Sequence, residues 1–366
     1  MVALFPETNV VAQREALVER VFGATLATMD LFSVYLGDRL GYYRALAAGG
    51  PATSAELAVR TGTHERYARE WLEQQAVTGI LEVENADADA GQRRFRLPAG
   101  HVEPMTDPDS LYAMTPLAQI FAGCVKPLPQ ILDAFRTGGG VPYEDYGADL
   151  AEGQAGSTRP MFHNQLAQEW LPAMPDIHAR LQSAGARVAD IGMGFGRSSI
   201  AIARAYPNVR VDGFDLDTSS VQAARANAEA AGVADRVTFQ VRDAGDPALA
   251  GRYDLACAFE CIHDMADPVA TLRAMRRLVG GGGTMLIADE KVADRFTAPG
   301  DDVERYMYGF SILHCLPVGM VDKPSAGTGT VMRQSTMTGY AEAAGCRAVA
   351  VLPIAHDFFR FYRLTT

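Results

Sequence analysis

The chain is short of tryptophan, with two in 366 residues, and it holds only five cysteines, Cys124, Cys257, Cys261, Cys315 and Cys346. The cysteine count is odd and no pair has Cys-x-x-Cys spacing, which argues against a disulfide framework and a structural zinc site. Free thiols fit a reducing cytoplasm, and each cysteine is expected as a small core residue. Long apolar runs are also missing: nothing approaches the roughly 18 uncharged apolar residues of a membrane span. The opening MVALFPETNVVAQREALVER puts charges where a secretion signal needs an apolar core. Basic residues are outnumbered, 33 against 44 acids for a net charge of −11, so the chain as a whole repels a phosphate backbone. Pervasive disorder is excluded by 48% hydrophobic and 21% charged residues. A length of 366 residues predicts two domains rather than one.

The first half reads as helical. Residues 13–48 carry Leu17, Val21, Leu26, Met29, Leu31, Phe32, Leu36, Leu40 and Leu46 at helical spacing, and Gly49-Gly50-Pro51 stops the run. A short helix, residues 55–60, follows Thr53-Ser54, and a third helix over residues 64–77 takes Thr63 as its cap. Two alternating segments, residues 80–84 and 94–97, then read as a β-ribbon. This is the order of a winged helix, a module that often reads DNA. The reader-helix position carries Arg66 and Arg69 against Glu65, Glu70 and Glu73, and the ribbon carries three arginines against four acids. Both are net acidic, which favours dimerisation or packing over nucleic-acid binding.

After a helical linker region, residues 158–180 are expected as one helix kinked near Pro172. Strands and helices then alternate to residue 364, with strands over 188–191, 209–214, 237–241, 253–259 and 284–288 and a final hairpin over 349–354 and 358–364. The alternation predicts an α/β, Rossmann-like sheet, mostly parallel, with ligands beyond the carboxyl ends of its strands. Domain limits of 1–157 and 158–366 follow.

The sharpest motif is Asp190-Ile-Gly192-Met-Gly194-Phe-Gly196, between a strand and a helix. Glycines there let a ligand approach the backbone closely. Asp190, two residues before the first glycine, suits a cationic ligand better than a pyrophosphate. The next strand ends in Asp215, whose carboxylate can accept from two ribose hydroxyls, and Leu216 beside it can pack on an adenine face. Asp243, after the third strand, can accept from an adenine amino group.

With these residues the sequence resembles the class I S-adenosylmethionine-dependent methyltransferases over roughly residues 160–366, about one domain in size. The resemblance implies that S-adenosyl-L-methionine lies against Asp190, Gly192, Gly194, Gly196, Asp215, Leu216, Asp243, Ala244 and Glu260, and leaves as S-adenosyl-L-homocysteine. The segment Phe259-Glu-Cys-Ile-His263-Asp264-Met265 resembles the His-Asp element of plant-type and hydroxyindole-type small-molecule O-methyltransferases. Those families also carry an N-terminal winged-helix dimerisation domain, so a homodimer is implied. A set of actinobacterial methyltransferases with the same plan is closer still in its helices and loops.

The resemblance makes His263 the general base for an acceptor hydroxyl, a role that suits histidine near neutral pH. Asp289 matches the acid that orients it, with Glu290 the neighbouring option. The bland alternative for His263 is a loop histidine bonded to a backbone carbonyl or an adenine edge. Met265 stands where the plant-type pattern has tryptophan. The insert after the fifth strand places Tyr306, Phe310 and His314 at i, i+4 and i+8, and Phe162, His163 and Trp170 precede the first strand; all six are acceptor-binding candidates. No cluster has metal-ligand spacing, and no metal is expected. The expected function is methyl transfer to a small hydrophobic metabolite, through a hydroxyl. Two alternatives stay open: a regulator that binds DNA through its winged helix and senses the cofactor or a metabolite, and an enzyme of this fold that performs cyclisation or rearrangement.

Overall fold

The computed structural model describes residues 7–249 and 252–366. Residues 1–6, part of the opening stretch read against a secretion signal, lie outside the described residues. The chain divides into two compact units, one ending at Ala122 and one spanning Gly123–Thr366. The sequence placed the boundary at 157. It falls earlier because residues 123–157 are tied to the second unit: Val141 N–H donates to Pro317 O at 2.9 Å and the Tyr146 hydroxyl to Leu313 O at 3.0 Å.

In the first unit the helical run expected over 13–48 is two helices, α1 (Glu7–Arg39) and α2 (Tyr42–Gly49), broken at Gly41 with φ 73°. The next helix, α3 (Ser54–Thr61), opens with a full capping box between Thr53 and Glu56. In α4 (Glu65–Val77) the cap is His64, whose Nδ1 accepts from Arg66 N–H, not the expected Thr63. Strands β1 (Glu82–Val83) and β2 (Phe95–Arg96) pair antiparallel as the wing. Tyr42, Tyr43, Leu46, Leu57, Trp71, Leu72, Leu81 and Phe95 form its core. The arginines of reader helix and wing are each paired with a glutamate: Arg66 with Glu70, Arg69 with Glu65, Arg93 with Glu73, Arg94 with Glu56 and Arg96 with Glu82. Along α1, roughly 50 Å long at 1.5 Å per residue, Leu17, Val18, Val21, Phe22, Leu26, Met29 and Leu36 are exposed.

The second unit is a seven-stranded sheet of β3 (Arg187–Ile191), β4 (Arg210–Asp215), β5 (Val237–Val241), β6 (Leu255–Phe259), β7 (Thr284–Glu290), β8 (Ala348–Val351) and β9 (Phe359–Thr365). Their order is β5-β4-β3-β6-β7-β9-β8. Every pair from β5 through β7 is parallel, and β9 runs antiparallel between β7 and β8. The expected parallel sheet and closing hairpin are both present. Strand periodicity splits the core into two faces. Val188, Val211, Leu255, Cys257, Leu286 and Phe361 face one layer of helices; Ala189, Ile191, Ala256, Ala258, Met285, Ile287, Tyr362 and Leu364 face the other. The order reverses between β3 and β6, which opens the crevice where ligands bind in such sheets.

Two helical expectations change. Residues 158–180 are not one kinked helix: the α-helix Ala148–Met161 passes into a π-helix, Phe162–Trp170, and a separate helix, Pro175–Gln182, follows. The insert after β7 runs as helix Asp302–Phe310, a π-helical turn Ser311–Cys315, and helix Leu316–Gly319.

Candidate active site

The glycine loop leaves β3 and caps the helix Arg197–Ala205. Gly192, Gly194 and Gly196 have φ of 63°, 50° and 70°, values that favour glycine. A Cβ on Gly192 would lie 2.8 Å from Cys261 Sγ, so this glycine also lets the segment after β6 close onto the loop. A Cβ on Gly194 would meet nothing within 4 Å, so that backbone stands open. Gly194 N–H donates to Asp215 Oδ2 at 2.8 Å and Asp217 N–H to Asp215 Oδ1 at 2.9 Å. A carboxylate has about four acceptor positions, so Asp215 is oriented by the loop and keeps capacity for two hydroxyls. Leu216 and Asp243 are exposed beside it. Ala244 is instead a core residue packed with Phe214 and Leu249.

Asp190 departs from its expected place. It has no exposure, and its Oδ2 accepts from Ser198 Oγ and Ser199 Oγ, each at 2.6 Å. Burial raises its pKa while the serines oppose that. The carboxyl fastens the first turn of the helix beneath the loop. Ser198 and Ser199 were missed in the sequence, although two hydroxyls directly after the glycines were a usable signal.

His263 sits on a short turn after β6, and Asp289 and Glu290 end β7; all three are buried. His263 Nδ1 lies 2.8 Å from Asp289 Oδ1 and 3.0 Å from Glu290 Oε2. The hydrogen bond goes to Asp289, and Asp289 Oδ2 and Glu290 Oε2 accept none. Burial disfavours charge on His263, but Glu290 and Asp289 outweigh it and hold the imidazole well above its ordinary value. Asp289 is lowered against its own burial by His263; Glu290 is raised well above the carboxylate range, by burial first. The cluster therefore stores protons between one base and two acids. Ligand atoms of the three lie within 4.8 Å of one another, a spacing that would also suit a divalent ion. The 26-residue gap between His263 and Asp289 hid that grouping from any spacing rule.

Glu260, directly after β6, is the one non-glycine residue with positive φ, 55°, among the described residues. Such a conformation costs roughly 1–3 kcal/mol and clusters at functional sites. Its carboxyl is half-buried. Burial raises it to about 8, with His263 working against and Asp289 with the shift. Asp264 is raised to about 6, again by burial first.

The acceptor candidates separate. Phe162 and Trp170 belong to the sheet's core, with rings 5.4 and 6.1 Å from Phe259, and Trp170 also 4.8 Å from Phe361; His163 is exposed. The structure does not assemble these three with His263. Tyr306 and Phe310 meet edge to face with ring centres 5.0 Å apart, as helical spacing predicts. The π-turn then shifts the register, and His314 meets Tyr143 and Tyr146 instead, at 5.9 and 4.9 Å. His314 is fully buried, and burial followed by repulsion from His263 lowers it to about 3, so it stays neutral. Its Nδ1 lies 3.4 Å from Cys315 Sγ and its Nε2 has no partner. Tyr143 and Cys315, both missed in the sequence, respectively feel Asp215 and His263.

This sheet order with a glycine loop at its switch point decides the comparison. Residues 182–322 match the family described as methyltransferase domain, and residues 25–107 match the Rv2258c-like winged HTH domain. The methyltransferase-domain match lies within the second unit. Among curated relatives, the ubiquinone biosynthesis O-methyltransferase of Xanthomonas axonopodis pv. citri (strain 306) is 34% identical over 114 residues, 31% of this chain and 46% of that protein. The chain thus spans about half the length of the curated relatives it matches. The mitomycin 7-O-methyltransferase MmcR shares the fold at a TM-score of 0.65 and 21% identity, over 97% of this chain and 99% of that one. NcsB1, an O-methyltransferase from neocarzinostatin biosynthesis, does so at 0.60 and 19%, over 93% and 96%. The NcsB1 structure holds S-adenosylmethionine and 2-hydroxy-5-methyl naphthoic acid. The methyltransferase domain and the winged helix are the two parts the sequence led us to expect.

Proposed function

We propose that the chain methylates a hydroxyl on a small hydrophobic acceptor, using S-adenosylmethionine, with His263 as general base. The observation that carries this is the 2.8 Å bond from His263 Nδ1 to Asp289, beside a glycine loop whose Gly194 stands open. Asp215, Leu216 and Asp243 would hold the cofactor, which when bound supplies an electrophilic methyl on a cationic sulfur, a charge that also opposes protonation of His263. Asp289 fixes the imidazole so that Nε2 takes the acceptor proton, and it steadies the imidazolium that results. Oxygen without its proton attacks in line, and alignment supplies much of the rate. His314, held neutral, serves as a hydrogen-bonding wall and not as a second base.

The reading includes a homodimer through the first unit, supported by the exposed apolar residues of α1, a stripe that a monomer would leave in water. Replacing Leu17 and Phe22 with glutamate should turn a dimer into a monomer in sedimentation velocity; an unchanged state removes α1 from the interface. The paired arginines of the winged helix speak against nucleic acid as a partner. The deciding experiment is titration calorimetry with S-adenosylhomocysteine. Wild type should bind at micromolar level and Asp215→Ala at least about tenfold more weakly. Equal binding, or none by either protein, would sink the assignment.

A further inference from the structure

We propose that Arg333 is a positioning residue for the His263–Asp289 pair: it grips the strand end that carries the acids and, through Glu304, the insert that backs the His263 turn. This rests on the methyltransferase reading, which makes that pair the working base and its orienting acid.

Asp289 and Glu290 are the last two residues of β7, and the segment after them is held from outside itself. Lys291 N–H donates to Phe358 O at 2.7 Å, Arg360 Nη2 to Val292 O at 3.1 Å, and Arg333 Nη1 to Ala293 O. The other terminal nitrogen of Arg333, Nη2, donates to Glu304 Oε1 at 2.5 Å and lies 3.4 Å from the Tyr308 hydroxyl. Glu304 and Tyr308 belong to the insert helix Asp302–Phe310. The two other cations at this strand end are engaged elsewhere. Lys291 Nζ donates to His356 O at 3.0 Å, and Arg360 Nη2 lies 3.5 Å from Asp294 Oδ1. Of the three, Arg333 is the one bonded to the insert helix.

Farther along, the insert closes on the other half of the pair. A Cβ on Gly319 would lie 2.9 Å from Asp264 O, so the helix Leu316–Gly319 sets bare backbone against the turn Ile262–Asp264. Ala326 N–H then donates to Ala266 O at 2.9 Å. One segment thus braces both His263 and Asp289, and Arg333 fastens it on the acid side.

The Glu304 and Arg333 side chains are only 3% and 15% exposed. A buried ion pair adds little net stability, because desolvation offsets the attraction; what it imposes is geometry. The guanidinium is a planar fork that fixes two acceptors at once, whereas a lysine ammonium is a single point.

The test reads the pair itself. The His263 Nδ1 proton shared with Asp289 gives a far-downfield proton NMR resonance, assigned by its loss in His263→Ala. The double variant Glu304→Leu with Arg333→Met removes both charges and strands neither. It should melt within about 3 °C of wild type, while the His263 proton exchanges with water at least about tenfold faster. Arg333→Lys should fall between the two, and it decides alone should the double variant not fold. The control removes the ion pair of Arg363 and Asp176, beside Thr284 at the opposite end of β7, by Arg363→Met with Asp176→Leu; exchange should stay at the wild-type rate. Wild-type exchange in the double variant overturns the proposal, as does equal acceleration in the control or a wild type without the resonance. S-adenosylhomocysteine affinity, by calorimetry on the same samples, should agree within about twofold. A loss confined to the double variant would put Arg333 in the cofactor's service and also overturn the proposal. A wild type that binds no S-adenosylhomocysteine strikes the methyltransferase reading alone, because the resonance is read without it.

Discussion

Asp190 and Asp289 end parallel strands of one sheet, and both are almost wholly buried, yet they are treated in opposite ways. Asp190 receives two serine hydroxyls on one oxygen and the Cys257 thiol, at 3.6 Å, on the other. Asp289 shares one imidazole with Glu290 and keeps an oxygen unpaired. A buried carboxylate satisfied by its own helix is scaffold. Buried acids left partly unsatisfied around one base form a site whose protons can move.

The contrast breaks most visibly at the base. His263→Ala should cut turnover by about 10²–10⁴ with cofactor affinity unchanged; near-normal turnover would make His263 a loop residue. Asp190→Ala should instead act on the fold. It strands two buried hydroxyls and frees the loop, costing about 2–4 kcal/mol in urea unfolding, and a variant as stable as wild type would deny Asp190 its scaffold role.

The pH dependence sharpens the other side. His263 is held above its ordinary value by Glu290 and Asp289, and it must be free of that proton to act as base. Turnover should rise with pH, with its half-maximum above the ordinary histidine value of about 6.5. Asp289→Asn removes the ionised partner and should move that midpoint to lower pH while lowering the plateau. Glu290 already holds a proton more readily, so Glu290→Gln should move it less and change stability by under about 1 kcal/mol. Equal shifts would mean the two acids are interchangeable. The same linkage makes the pair's stabilisation fullest below the ordinary histidine value and lost as pH climbs through the raised one.

Periodicity and glycine punctuation made most of the sheet readable: β3 through β7 and the closing hairpin lie within a few residues of expectation. The site was readable wherever residues adjoin, as in the glycine loop and the His263 turn. It failed where a backbone detail moved a side chain. The π-turn at Ser311–Cys315 took His314 off the face of Tyr306, and nothing in the residue pattern announces a fifth residue in a turn. Glu260's left-handed backbone is equally silent in sequence. Trp170 and Phe162 were misassigned because a large aromatic before the first strand reads the same whether it lines a pocket or fills a core. For Asp190 the position was legible and the serine partners were not.

One pairing sets the order in which the site can be built. Asp289 and Glu290 stand in register with Arg360 and Phe359 of β9, a strand that the chain supplies only after the whole insert. The glycine loop and Asp215, by contrast, rest on strands that follow one another closely. Loop closure delays distant contacts, so a refolding chain should regain S-adenosylhomocysteine binding before it regains turnover. For an interval it would hold a cofactor and have no aligned base.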